Sequence, residues 1–329
     1  MPTPKLTFPN PINTLKQIGN DVRKDLDAVQ AKVQSKIFDG PIGNALAETP
    51  KSGWVAKGIS KLGLTAFKPA PPPPTLKRPV VMITGLTMQA ASYDPMARHL
   101  GSNPANGKAA VYVVADGKFH AGGVNGKVMT DAEAARSKMF QIQYTDVKGA
   151  PSDKEPQLEQ AFRAIKRATN APALDVVAHS AGCTDFRLYL EKRPAADKSI
   201  GINEAVFIGP ASHGTFMGNV GDKVGGPIGV EKAGTELEIG SPLVKQLNDD
   251  WGTQRSQVKG DVTIIGISGA PTPGQGGLSN GDGFMPVNQL GMPNANTVVL
   301  KGSDPTPVAH LMEVGYSGVI AEVQKRLGQ

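Results

Sequence analysis

The sequence predicts an α/β architecture, a mostly parallel central sheet with helices on both faces, preceded by an N-terminal helical extension. Three observations lead there. Short apolar runs rich in Val and Ile recur along the chain, amphipathic segments alternate with them, and 39 Gly and 27 Pro punctuate the stretches between. Strands buried on both faces read as such apolar runs, and strand–helix alternation is the signature of parallel sheets with helical crossovers. The 329 residues suffice for one large domain and an appendage. The boundary falls after residue 76, with an extension over 1–76 and a catalytic-sized domain over 77–329.

In the extension, Ile12, Leu15, Ile18, Val22, Leu26, Val29, Val33 and Ile37 recur at three- and four-residue steps, one stripe of a helix. Asn13 suits its start and Gly40-Pro41 its stop. The stripe either packs on the main domain or serves partner binding or self-association; it is short for a coiled coil. Lys68 to Pro74 follow, a proline-rich run that favours extended polyproline II and reads as a semi-rigid linker. Beyond it the predicted strands are Val80–Ile83, Val111–Ala115, Leu174–Ala178, Ala205–Ile208, Val262–Ile267 and Val298–Leu300. The predicted helices are Asp131–Met139, Gln157–Thr169, Cys183–Lys192, Pro242–Asp250 and Val308–Arg326.

Composition narrows the function classes. The net charge of +6 is spread along the chain, with no basic stripe carrying interleaved aromatics, so nucleic-acid binding is not expected. No stretch reaches the roughly 18 apolar residues a membrane span needs. The lone cysteine, Cys183, allows no intramolecular disulfide. The first 20 residues hold no continuous apolar core of a secretory leader. A cytoplasmic site and export without such a leader both remain open. The five histidines are dispersed without ligand spacing, so no metal is expected.

The chemistry-bearing signal is Leu174 to Gly182. An apolar strand runs into Ala178-His179-Ser180-Ala181-Gly182, and a helix pattern begins at once. A serine on a sharp strand-to-helix turn exposes its hydroxyl above the sheet, and small neighbours let backbone segments meet there. The segment resembles the nucleophile elbow of the α/β-hydrolase fold, in its lipase and esterase branch, with Ala178 where Gly is usual. The plainer reading of Ser180 is a helix N-cap. The resemblance extends over about residues 78 to 328 and implies further roles. Thr84-Gly85-Leu86 resembles the loop after the first strand, where His is usual in place of Thr84. It implies an oxyanion-hole N–H at Leu86, with Thr87 as the other candidate, beside that of Ala181. Asp282-Gly283-Phe284-Met285-Pro286 resembles the family's acid motif and implies Asp282 as the acid. Asp304 is the backup. His310, the one histidine after Asp282, is the implied base.

The resemblance also implies a carboxylic ester or lipid substrate, an acyl-enzyme and no cofactor. Thr87, Met88, His179, Phe216, Met217, Phe284 and Met285 are candidates to line the substrate pocket. Pro210 to Thr215 and Gly240-Ser241-Pro242 also resemble lipase segments. The Gly-rich stretch between them, over 216–240, is either a mobile flap or a plain loop. A thioesterase, acyltransferase or polyester depolymerase would use the same triad. A non-catalytic lipid-binding or scaffold protein would keep only the fold.

Overall fold

A computed structural model of the chain describes residues 70–193, 195–215, 230–274, 277–302, 310–311 and 313–328. In chain order its strands and helices are β1 (Val80–Ile83), α1 (Asp94–Gly101), β2 (Ala110–Val113), β3 (Lys118–Ala121), β4 (Lys127–Met129), α2 (Asp131–Ala134), β5 (Met139–Gln143), α3 (Pro151–Thr169), β6 (Ala173–His179), α4 (Ala181–Lys192), β7 (Gly201–Ile208), α5 (Glu231–Leu237), α6 (Pro242–Asp249), α7 (Trp251–Ser256), β8 (Val262–Ser268), β9 (Ala270–Gly274), β10 (Gly277–Gly281), β11 (Asn296–Lys301) and α8 (Ser317–Leu327). The helical stripe over Ile12–Ile37 and the start of the proline linker lie outside the described residues.

Nine strands form one sheet in the order β11-β8-β7-β6-β1-β5-β2-β3-β4. From β11 to β2 every pairing is parallel; β3 and β4 extend that edge antiparallel. Period-two alternation sorts the strand residues to two cores. Val81 and Ile83 of β1 join Phe140, Ile142, Val176, Phe162, Phe186 and Tyr189 on the face covered by α3 and α4. Val80 and Met82 join Val177, Val206, Ile265, Met96, Leu100, Val319 and Val323 on the face covered by α1 and α8. Burial of both faces explains the unbroken Val/Ile runs of the inner strands, whereas β11, which carries Val298–Leu300 and was expected to be buried too, is an edge strand and largely exposed.

Local chemistry ends the elements where the sequence changes. Thr130 and Glu133 close a capping box at α2. Asn170, at φ 49°, ends α3 in the left-handed region. Ser241 accepts from the Val244 N–H at 3.1 Å and starts α6. The helix expected over Asp131–Met139 is corrected: α2 stops at Ala134, and Met139 opens the buried strand β5 between β1 and β2. Met139-Phe140-Gln141-Ile142 is an apolar stretch interrupted by one glutamine. Gln141 Nε2 donates to Asp94 Oδ1 at 2.9 Å, which lets that polar side chain sit in the core. The final helix begins at Ser317, later than expected, after a 3₁₀ turn over Glu313–Gly315. Within 216–240, where no regular element was foreseen, α5 forms over Glu231–Leu237; residues 216–229 lie outside the described residues.

Strand order reverses at β1. The chain moves from β1 out to β2–β5 on one side, and from β6 to β7, β8 and β11 on the other. The carboxyl ends of β1 and β6 are therefore the switch point, where open α/β sheets form their crevice. The loop after β1 and the turn after β6 both lie at this edge. Among the described residues no helix is long and apolar enough to cross a membrane.

Candidate active site

Ser180 sits between β6 and α4 with φ 54° and ψ −127°, a conformation sparsely populated by residues with a side chain. Such a residue costs on the order of 1–3 kcal/mol and is held by its surroundings. Three contacts hold it here. The Ser180 N–H donates to the Ile208 carbonyl at 2.9 Å, tying the turn to β7. A Cβ on Gly182 would lie 2.4 Å from the Thr84 carbonyl oxygen, so only glycine lets α4 start this close to β1. A Cβ on Gly85 would fall 2.9 Å from the Ser180 Cβ, which sets the β1 loop against the serine. The far side of α4 is pinned by the buried Arg187. Its guanidinium donates to the Leu247 carbonyl at 2.5 Å, Gln254 Oε1 at 2.9 Å, Asn248 Oδ1 at 2.9 Å and the Ser212 carbonyl at 3.2 Å.

His310 Nε2 lies 2.8 Å from Ser180 Oγ, and His310 Nδ1 lies 2.9 Å from Asp282 Oδ2. Three side chains distant in sequence thus form one hydrogen-bonded line, with Ser180 half-buried and the other two buried. The Asp282 turn is built by its own carboxylate. Oδ1 accepts from the Phe284 N–H at 2.8 Å and the Met285 N–H at 2.6 Å, while Gly283 takes φ 99°. Thr272 Oγ1 on β9 accepts from the Gly283 N–H at 2.8 Å. Burial works to raise the Asp282 carboxyl, but the His310 ring and the other hydrogen bonds outweigh it and hold the group below its ordinary value. Asp282 is therefore an anion facing the imidazole. Asp304, the backup acid, lies outside the described residues.

The Thr87 N–H donates to the Val147 carbonyl at 2.8 Å, so that amide is already engaged. Leu86, half-buried in the same turn, has no acceptor for its N–H among the described residues. The N–H of Ala181, at the first position of α4, has no intrahelical acceptor. Ala181 follows Ser180 directly, and Gly85, the neighbour of Leu86, lies against the serine side chain.

His179 is fully buried beneath the base and does not face a substrate surface. Its Nε2 donates to the His310 carbonyl at 3.0 Å, its Nδ1 lies 3.2 Å from Met88 Sδ, and its ring centroid is 4.8 Å from that of His310. Burial, then the neighbouring His310, push it well below the ordinary histidine range, so it is neutral. It braces the backbone of His310. Of the other pocket candidates, Phe284 is half-buried with its ring centroid 5.2 Å from that of His310. Met88 and Met285 are buried in the two cores. Phe216 and Met217 lie outside the described residues. His213 hydrogen-bonds the Gly291 carbonyl at 3.1 Å and is apart from the triad.

One site residue escaped the sequence reading. Glu313, wholly buried, brings Oε2 to 3.6 Å from His310 Nδ1 and 3.4 Å from His179 Nε2. Its signal was a carboxylate three residues after the base, in the otherwise apolar Leu311-Met312-Glu313-Val314. His179, His310 and Glu313 offer atoms within 4.8 Å of one another, the one such cluster of potential metal donors among the described residues. The imidazole of His310 is already engaged on both nitrogens by Ser180 and Asp282, so the donor set does not fit a metal.

A family model described as "Alpha/beta hydrolase of unknown function (DUF915)" matches residues 75–282, which include Ser180 and Asp282. Among solved structures, the product of the gene lin2722 from Listeria innocua aligns over 77% of this chain and 94% of its own, at 20% identity and a TM-score of 0.53. Phospholipase PlaB from Legionella pneumophila aligns over 77% of this chain and 60% of its own, at 13% identity and a TM-score of 0.51. The mature lipase BlEst2 from Bacillus licheniformis aligns over 79% and 94%, at 13% identity and a TM-score of 0.49. No curated protein sequence matches the chain. At these identities the structural likeness speaks to architecture: the described domain has the α/β-hydrolase fold.

Proposed function

This chain belongs to the family of alpha/beta hydrolases of unknown function (DUF915), and from that premise we propose that it is a serine hydrolase that cleaves carboxylic esters through an acyl-enzyme. The observation that carries the reading is the hydrogen-bonded line from Ser180 Oγ to His310 to Asp282, with the serine in a strained turn. Fold alone would not support an activity.

In this reading His310 Nε2 takes the Ser180 proton as Oγ attacks the ester carbonyl. The N–H groups of Ala181 and Leu86 receive the oxyanion, each worth about 3 kcal/mol in comparable sites. The Asp282 carboxylate fixes the tautomer of the neutral ring and stabilises the imidazolium that forms. His310 then gives the proton to the leaving alcohol. Water repeats the sequence on the acyl-enzyme, restoring the Ser180 hydroxyl and releasing the acid. Phe284, its ring centroid 5.2 Å from that of His310, supports an acyl group of apolar character.

A fluorophosphonate probe tests the proposal. Wild type is expected to label at Ser180 and to turn over nitrophenyl esters. Ser180→Ala is expected to lose both, and His310→Ala nearly all turnover, with unchanged circular dichroism. A wild-type protein that takes no label and hydrolyses neither short nor long acyl esters would instead be a non-catalytic member of the fold.

A further inference from the structure

Behind the proposed triad lies a second carboxyl group, that of Glu313, which faces only the rings of His310 and His179 among the charged or titratable nitrogens of the described residues. It comes from the 3₁₀ turn Glu313–Gly315 and is fully buried. Gly209, at the end of β7, makes room for it: a Cβ there would lie 2.2 Å from Glu313 Oε2 and 3.1 Å from the His310 ring, and the residue takes φ 49°. Space has been left at the base for this one side chain.

Two buried carboxyl groups in contact do not both ionise; the one better supplied with donors keeps the charge. Asp282 accepts from Phe284 N–H, Met285 N–H and His310 Nδ1. No N–H or hydroxyl is aimed at either Glu313 oxygen in hydrogen-bonding geometry among the described residues. His179 Nε2, 3.4 Å away, spends its hydrogen on the His310 carbonyl. The two carboxyl groups converge on one atom: Asp282 Oδ2 lies 2.9 Å and Glu313 Oε2 3.6 Å from His310 Nδ1. The proton of the pair therefore sits on Glu313.

We propose that Glu313 is a positioning residue of this site: an uncharged carboxylic acid that donates its O–H to Asp282, so that one negative charge, and not two, faces the His310 ring. The inference rests on the serine-hydrolase reading for its role in turnover. Its physical consequence is direct. Burial, then the charge of Asp282, push the Glu313 carboxyl well above the usual carboxylate range. The other titratable groups facing it are uncharged as well: His179 at the end of β6, Tyr93 ahead of α1 and Cys183 on α4. Its proton tempers the pull of Asp282 on an imidazolium. An ionised Glu313 would add to that pull. Glu313 touches no reacting atom in this arrangement and acts through Asp282.

The test compares wild type with Glu313→Gln, whose amide also donates without charge, and Glu313→Leu, which fills the space and donates nothing. Two readouts are taken on the whole chain. One is the pH titration of the His310 ring by NMR with labelled histidine, assigned by its loss in His310→Ala. The other is the pH profile of nitrophenyl ester turnover. Glu313→Gln is expected to keep the titration midpoint within about 0.3 pH unit of wild type and kcat/KM within about threefold. Glu313→Leu is expected to raise the midpoint and the acid limb together by about half a unit or more, lowering kcat with little change in KM. A fall of about one unit in Glu313→Gln would mean that an anion had been removed, and would overturn the proposal; this variant decides the matter even where Glu313→Leu does not fold. A Glu313→Leu protein that folds and titrates as wild type would overturn it too. If no variant and no wild type turns over ester, the function proposed above fails, while the NMR titration still decides the charge state of Glu313.

Discussion

Ser180 carries the strain of the site and Asp282 carries its charge. The serine was legible because a strand, five small or polar residues and a helix follow one another without a break. Asp282 was legible only through the likeness of Asp282 to Pro286 to a known motif, since Asn280-Gly281-Asp282-Gly283 is also ordinary turn chemistry. The two-sided use of its carboxylate, backbone N–H groups on Oδ1 and imidazole on Oδ2, belongs to the folded turn. Asp282→Asn should keep this geometry but present an amide to His310, favouring the wrong tautomer. Turnover is expected to fall by about 10³–10⁴-fold, measured as kcat/KM at neutral pH. The same variant reports on stability. A carboxyl held below its ordinary value stabilises the folded state above about pH 4, and this contribution is lost as pH falls through the lowered value. The gap in denaturation midpoint between wild type and Asp282→Asn should therefore close in acid. A gap that widened below pH 4 would contradict the assignment of charge. His179 shows the limit of reading residues singly: its place in the elbow suggested a pocket wall, and three-dimensional packing made it a buried brace.

Among the elements, strands buried on both faces were read from their Val/Ile runs, and α4 from its position after the elbow. The misses have a common physical origin. β5 begins where a helical pattern runs on, and its polar Gln141 is satisfied by Asp94 on another element, a pairing no local window contains. The β3–β4 edge and the β9–β10 pair are short and rich in polar, Gly or Pro residues, so their pairing depends on neighbours and not on propensity. The elbow itself is set by contact between elements. Gly182→Ala would press a methyl against the carbonyl end of β1, 2.4 Å from the Thr84 oxygen. The backbone there must move, and α4 carries the Ala181 amide with it. A loss of stability of about 1–3 kcal/mol and a fall of about tenfold or more in fluorophosphonate labelling rate are expected, by denaturation and by gel readout. Labelling at the wild-type rate would show that the close approach does not govern the serine.

For the molecule as a whole, the fold class follows from alternation alone, but the strand order does not. The reversal at β1 that opens the crevice is a property of the closed sheet. The same order has a consequence for how the protein fails. Ser180 ends the innermost part of the sheet, whereas His310 follows β11, an edge strand, which among the described residues pairs only with β8 and has Val299 about half exposed. Outer strands open locally at lower free energy than the interior. In a denaturant series, ester turnover should therefore vanish at a lower concentration than the far-ultraviolet dichroism. Coincident curves would mean that β11 melts with everything else. Peeling back a single margin would disarm the protein long before it ceased to look folded, and relief of the stress would restore it without a new round of folding.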